Sequence, residues 1–217
     1  MPLQAPLRNE TELHLPFTGE WLCFWGGDTG RLNYHRLHNA PDQRFAFDFV
    51  KVDGSGSFYR EDFPANANSY SFGSPIVSPA PGLVIDAMDE LPDGEPGMPN
   101  ETVRAIGNYV LIRHKEGEYS VLAHLQQGSV RVALAQSVNT GDVIGACGNS
   151  GHSTDPYLHY HLQNSGRLQH YEDESELYPA RGIKPYFTDV LRERRGILKP
   201  AKSCSPIKGD ILQQAEI

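Results

Sequence analysis

A chain of 217 residues, 39% hydrophobic and 21% charged, has room for one well-buried core, or a core with extensions, and is neither a disordered tail nor a membrane protein. Its formal net charge of -8 argues against nucleic acid or an anionic membrane surface as partner, since both require a basic face. Three scattered cysteines, Cys23, Cys147 and Cys204, lack CxxC spacing and indicate neither a cysteine zinc knuckle nor a disulfide framework.

The N-terminal segment Met1 to Glu10 carries no basic stretch followed by an apolar run, and no segment reaches the length of a bilayer span. Taken at face value this predicts a cytoplasmic protein. Twenty-one glycines and sixteen prolines then punctuate short runs rich in Val, Ile, Leu, Tyr and Phe, the pattern of an all-β protein with many turns. In chain order the predicted strands are Trp21–Trp25, Phe45–Val50, Leu83–Ala87, Tyr109–His114, Tyr119–Leu125, Val143–Cys147 and Leu158–Gln163. Glu116-Gly117 is a tight-turn signal, so residues 109–125 read as a hairpin. Two long polar loops, 53–74 and 88–106, are candidates for the walls of a substrate cleft.

The last predicted strand follows a Gly/Ser/Asn-rich loop, and its alternation sends Tyr157, His159, His161 and Gln163 to one face. Leu158, Tyr160 and Leu162 go to the other. Imidazole is the commonest protein ligand for zinc, which makes the first face a candidate metal surface. An isolated His-x-His would more simply be a pair of hydrogen-bonded strand histidines. Asp48 interrupts the apolar aromatic run Phe45–Val50, where a carboxylate is costly unless paired or metal-bound.

The order of these segments carries more than any one of them. Asn33-Tyr34-His35 is followed by the Asp48 strand, by Pro75–Val84, by Gly107–His114, by Tyr119–Leu125 with His124, by Val138–Gly145, by Gly148-Asn149-Ser150-Gly151 and by Asp155–Gln163. Over residues 33–164 this set closely resembles the lysostaphin-type zinc metalloendopeptidases, the family of peptidoglycan hydrolases and their degenerate relatives. The resemblance implies an all-β fold, an antiparallel β-sandwich or hybrid-barrel core whose long loops form a groove over a zinc site. It implies an N-terminal extension at 1–30 packing on the core, a peptidase domain at 31–170 and a C-terminal extension at 171–217. It also implies zinc held by two histidines and an aspartate, a cell-wall peptide as substrate, and work outside the cytoplasm.

Carried over residue by residue, Asp48 and His159 are zinc ligands and His124 is the catalytic histidine. The other early ligand is His35 or His38, with His35 favoured: the family's usual histidine four residues before the aspartate is here Arg44. Two imidazoles and one carboxylate leave a tetrahedral position open, as in catalytic zinc sites. The first histidine of the family's pair, a catalytic residue, is replaced by Tyr157. A phenol can donate to an oxyanion but is a poor base at neutral pH, so zinc binding can persist while turnover falls.

His161, roughly 6.5 to 7 Å further along the same strand face, and His152 in the preceding loop are possible replacements for the missing catalytic group. A shifted register would instead make His161 the ligand. His114, Cys147, His14 and His170 read as structural or surface residues.

Two rival readings stand beside the peptidase. One is a non-catalytic relative that binds peptidoglycan or a cell-wall amidase. The other is a glucose-type phosphotransferase enzyme IIA, against which Asp48 and the Pro-Tyr-Leu-His order argue.

Overall fold

Short alternating runs separated by turn formers become short strands, and thirteen of them form among the described residues. They are β1 (Trp21–Trp25), β2 (Phe47–Val50), β3 (Pro75–Val77), β4 (Gly82–Met88), β5 (Asn108–Lys115), β6 (Glu118–Leu125), β7 (Ser137–Val138), β8 (Val143–Ala146), β9 (Leu158–Gln163), β10 (Gly182–Ile183), β11 (Phe187–Arg194), β12 (Ile197–Cys204) and β13 (Ile211–Gln214). The computed structural model describes residues 8–38, 40–98, 105–168 and 180–215, so His170 lies outside the described residues.

Eleven strands make one antiparallel sheet, in the order β12-β11-β13-β1-β2-β9-β6-β5-β4-β7 with β10 pairing beside β2 on β9. β3 and β8 form a separate pair. The antiparallel β core is as the sequence predicts, but the large sheet is open: it ends on β12 and β7 and does not close into a barrel. The expected hairpin is present as β5 and β6, turning at Glu116-Gly117.

β9 lies near the middle of the sheet, between β2 and β6, and all six of its residues are buried. Leu158, Tyr160 and Leu162 enter the main core with Phe47, Phe49, Leu122 and Leu125. Burial of each such side chain is worth about 1.5–3 kcal/mol relative to exposure. The opposite face carries a smaller cluster of Tyr109, Leu111, Tyr119, Val121 and Ala123, and beside it the polar file of His159, His161 and Gln163.

The regions expected to be extensions contribute to the same core and sheet. Leu13, Leu15, Phe17 and Trp21 are buried with the site strands, and β1 pairs with both β2 and β13. β11 to β13 were not read from the sequence, because β11 and β12 mix charges among their apolar residues and are largely half-exposed or exposed.

Candidate metal centre and cleft

Register alone brings two of the predicted ligands together. Asp48 of β2 stands directly opposite His159 of β9, and such cross-strand pairs place Cβ atoms about 4.5–5.5 Å apart. His159 Nδ1 lies 3.0 Å from Asp48 Oδ1. His35 arrives from outside the sheet, on a 3-10 turn over Tyr34–Leu37. The side chain of Asn33 builds that turn: its Oδ1 accepts from the His35 N–H at 3.1 Å, while its Nδ2 donates to Ala46 O at 3.0 Å and Gly27 O at 3.3 Å. Buried Asn33 therefore ties the turn to the residue two before Asp48, which compensates for the long spacing between His35 and Asp48. His35 Nε2 ends 3.0 Å from Asp48 Oδ2.

His35, Asp48 and His159 thus bring one ligand atom each to within 4.8 Å of one another. Two donors on a tetrahedral zinc, each about 2.0–2.1 Å from the metal, are about 3.3 Å apart, so the 3.0 Å contacts to Asp48 suit that donor set. His38 does not join them. It is exposed and meets Tyr34 edge to face, with ring centroids 4.3 Å apart, at the rim of the cleft.

The electrostatics follow from burial and from this clustering. Burial raises the Asp48 carboxyl, but the neighbouring His35 and His159 more than offset it and hold the group well below the usual carboxylate range. Burial pulls His35 down, and the charge and hydrogen bond of Asp48 reverse this to leave it raised. His159, pushed down first by burial, falls to about 4 despite its bond to Asp48.

His124 owes its position to a break in β6. Ala123 pairs opposite His159, so strict alternation would turn His124 into the main core. A bulge between the Asn108 and Tyr109 pairings and a positive φ of 58° at His124 keep it on the site side, while Leu122 and Leu125 both face the core. A histidine with this backbone is uncommon, and such strain concentrates at functional sites. Its Nδ1 faces the Ser150 carbonyl at 2.8 Å and must donate to it, which leaves Nε2 as an acceptor in the neutral ring. Burial first, then the neighbouring His159, lowers His124 to about 4.

Tyr157 occupies that acceptor. Its hydroxyl donates to His124 Nε2 at 3.0 Å, and burial, with Asp48 nearby, pushes the phenol well above its ordinary value. The Gly148–Gly151 segment supplies the support: Ser150 Oγ donates to Leu125 O at 2.7 Å and accepts from Asn108 N at 2.9 Å.

A cleft of about 810 Å³ opens over these groups. Phe58, Tyr59 and Ser69 come from the first long loop and Ala105 and Ile106 from the second, as expected of cleft walls. Tyr59 Oη donates to Asp155 Oδ1 at 2.5 Å and closes one side. His152 lines the rim and is exposed.

His161 does not line the cleft. It is 1% exposed and lies behind His159, with its Nδ1 3.0 Å from His159 Nε2 and its Nε2 3.1 Å from Gln163 Oε1. The strand distance expected from the sequence is right, but the direction is away from the groove. His114 bonds Pro81 O and Ser120 Oγ, remote from the donor set, and His14 is partly buried. Cys147 is buried and unbridged. Asn33, Asp42 and Ser150 were not singled out individually by the sequence. The only advance signal was the Asn-x-His spacing and the glycines around Ser150.

Two imidazoles and a carboxylate make a donor set that could hold a catalytic metal ion. Residues 65–171 match the model of peptidase family M23, the lysostaphin-type peptidases. His35 and Asp48 precede the matched region. A 99-residue stretch is 34% identical to an uncharacterized metalloprotease of Haemophilus influenzae, covering 46% of this chain and 18% of the relative. Another of 61 residues is 41% identical to the DD-carboxypeptidase/endopeptidase Mpg of Neisseria meningitidis, covering 28% of this chain and 14% of that protein. A zinc-containing peptidase of Vibrio cholerae aligns in structure with a TM-score of 0.44 at 21% identity, over 72% of this chain and 38% of that one. The chain spans only 13% to 20% of the length of the first curated relatives it matches. No helix among the described residues is long and apolar enough to cross a membrane.

Proposed function

We propose that the chain is a zinc-dependent endopeptidase that cleaves peptide cross-links of the bacterial cell wall outside the cytoplasm, with a low turnover caused by Tyr157. The observation that carries this reading is the convergence of His35 Nε2, the Asp48 carboxylate and His159 Nδ1 within 4.8 Å on the floor of a cleft. Held there, zinc would supply Lewis-acid activation of water and of the scissile carbonyl.

The remaining groups of the chain move and place protons. The open cleft admits an extended peptide, and it is lined by both Tyr157 and His124, which are joined by the bond from Tyr157 Oη to His124 Nε2. A proton leaving the nucleophile passes to Tyr157 Oη as the phenol gives its own to His124. Once His124 is protonated, its Nε2–H donates to Tyr157 Oη, and the phenolic O–H is free to donate to a developing oxyanion. The Ser150 carbonyl holds the ring in place throughout. A base with a pKa of about 4, reached only through a phenol, is mismatched to neutral pH, which is the physical reason for slow turnover.

The specific feature favouring the second reading, a non-catalytic binder of peptidoglycan, is the same Tyr157, which closes the free nitrogen of His124. Both readings are separated by incubating the zinc-loaded protein with purified cell-wall cross-link peptides and counting new amino termini. Slow release that stops with a chelator and in His159→Ala, a variant expected to retain no zinc by dialysis and metal analysis, supports the enzyme. Stoichiometric zinc without any release selects the binder. Full zinc retention by His159→Ala would overturn the ligand assignment.

A further inference from the structure

We propose that His161 and Gln163 are positioning residues that fix which nitrogen of His159 faces the metal, an inference that rests on the metal reading above. It follows from counting hydrogens along one buried file. Gln163 Nε2 faces two carbonyls, Ser165 O at 2.6 Å and Arg167 O at 2.9 Å. Carbonyls only accept, so this end of the amide is the NH2 and the other end is the oxygen. Gln163 Oε1 then faces His161 Nε2 at 3.1 Å, and that nitrogen carries a hydrogen. Asp42, whose Oδ2 is 4.0 Å from the same nitrogen, favours the same arrangement.

With Nε2 protonated, the neutral His161 ring presents Nδ1 as an acceptor. His159 Nε2, 3.0 Å away, must donate to it. What is left on His159 is the lone pair of Nδ1, and it points at a carboxylate oxygen 3.0 Å away. The file therefore runs out of hydrogens at its last gap. Three donors, the Gln163 amide, His161 Nε2–H and His159 Nε2–H, serve the first three contacts, and the fourth contact sets an acceptor against an acceptor.

A positive charge at Nδ1, a metal ion or an added proton, relieves that contact. Reversing the file to place a hydrogen on His159 Nδ1 would set Gln163 Oε1 against two carbonyls or an imidazole lone pair against Gln163 Oε1, and each reversal buries an unsatisfied acceptor pair. The sequence pattern His-x-His-x-Gln thus serves to present a bare nitrogen. Only the first histidine is a ligand, and the second and the glutamine orient it through its far nitrogen. Such outer partners are typically worth 10–100-fold in metal affinity.

The test uses the full chain and zinc alone. Chelator competition gives the zinc affinity of the wild type, His161→Phe and His161→Gln, and imidazole nitrogen-15 shifts of the zinc-loaded wild type report the His159 tautomer. The expected result is about 10–100-fold weaker zinc binding in His161→Phe. His161→Gln, whose side-chain oxygen can accept from His159 Nε2–H, recovers most of it, and the wild type shows hydrogen on Nε2 and none on Nδ1. Unchanged affinity in His161→Phe, or a hydrogen on His159 Nδ1 in the loaded wild type, overturns the positioning role while leaving the metal site intact. If His161→Phe does not fold, the wild-type shifts decide. A wild type that binds no zinc overturns the metal reading itself, and the positioning role with it.

Discussion

In the proposed reading, Tyr157 is the residue on which activity turns. It takes the position of a second catalytic histidine in the family pattern and donates to the only acceptor nitrogen of His124. Replacing it with histidine restores a titratable group beside His124. Tyr157→His is expected to raise the initial rate of cross-link hydrolysis by about two powers of ten, the scale of one transition-state group, with zinc content unchanged. Equal or lower rates would mean that the phenol already performs its step well. The candidate residues themselves were legible from the pattern: His35, Asp48, His124, Tyr157 and His159 all meet at the cleft. The direction of His161 was not, because spacing along a strand gives a face and a distance, not what lies on the far side of the neighbouring ring.

At the scale of elements, the site depends on departures from regularity. The bulge in β6 turns His124 toward the cleft, and the loop after β8 holds it there through the Ser150 carbonyl. That loop passes against Gly107. Gly151 has a φ of 77°, and a Cβ there would fall 2.3 Å from Gly107 N. Gly151→Ala is therefore expected to lower stability by 1 kcal/mol or more, about the cost of a side chain in an incompatible backbone, together with a backbone clash. Thermal unfolding of the variant against wild type measures it. An unchanged midpoint would mean that the loop relaxes freely. Sequence reading found seven strands, those with continuous apolar or alternating runs. It missed the short strands β3, β7 and β10, and also β11 to β13, where in β11 and β12 the charged and exposed positions dilute the period of two.

Across the whole molecule, the sheet joins the early strand β1 to the late strand β13 beside the strand that carries Asp48. β1 lies between β2 and β13, and the turn before β13 contains Asp210, which is fully buried. Its carboxylate accepts from Arg194 Nε at 2.5 Å, Arg194 Nη2 at 2.7 Å and Ile207 N at 2.9 Å. Asp210→Ala should cost about 1–3 kcal/mol, since it removes a buried carboxylate that accepts three hydrogen bonds. Denaturant unfolding measures this, and a loss under half a kcal/mol would show the network to be dispensable.

The metal-free molecule should also be acid-sensitive. Burial holds His124, His159 and His161 at about 4, below their ordinary value near 6.5. Between pH 6.5 and 4 the unfolded chain binds these protons and the folded chain does not, so stability falls as pH falls through that window. Asp42, raised by burial to about 6, binds one proton earlier in the folded chain and opposes the trend without reversing it. The melting temperature of the zinc-free protein is expected to drop steadily from pH 6.5 to pH 4. A flat profile would contradict the burial of these imidazoles.

The sequence by itself determined the class of fold, the resemblance to the M23 peptidases and the residue types of the candidate site, because strand alternation, turn formers and ordered motifs are local properties. Cross-strand register, the Asn33 tether, the bulge at His124 and the direction of the His159–His161–Gln163 file were decided only by tertiary structure. Each of these depends on which distant backbone or side chain satisfies a buried polar group, and that partner is set by packing across the sheet rather than by neighbours along the chain.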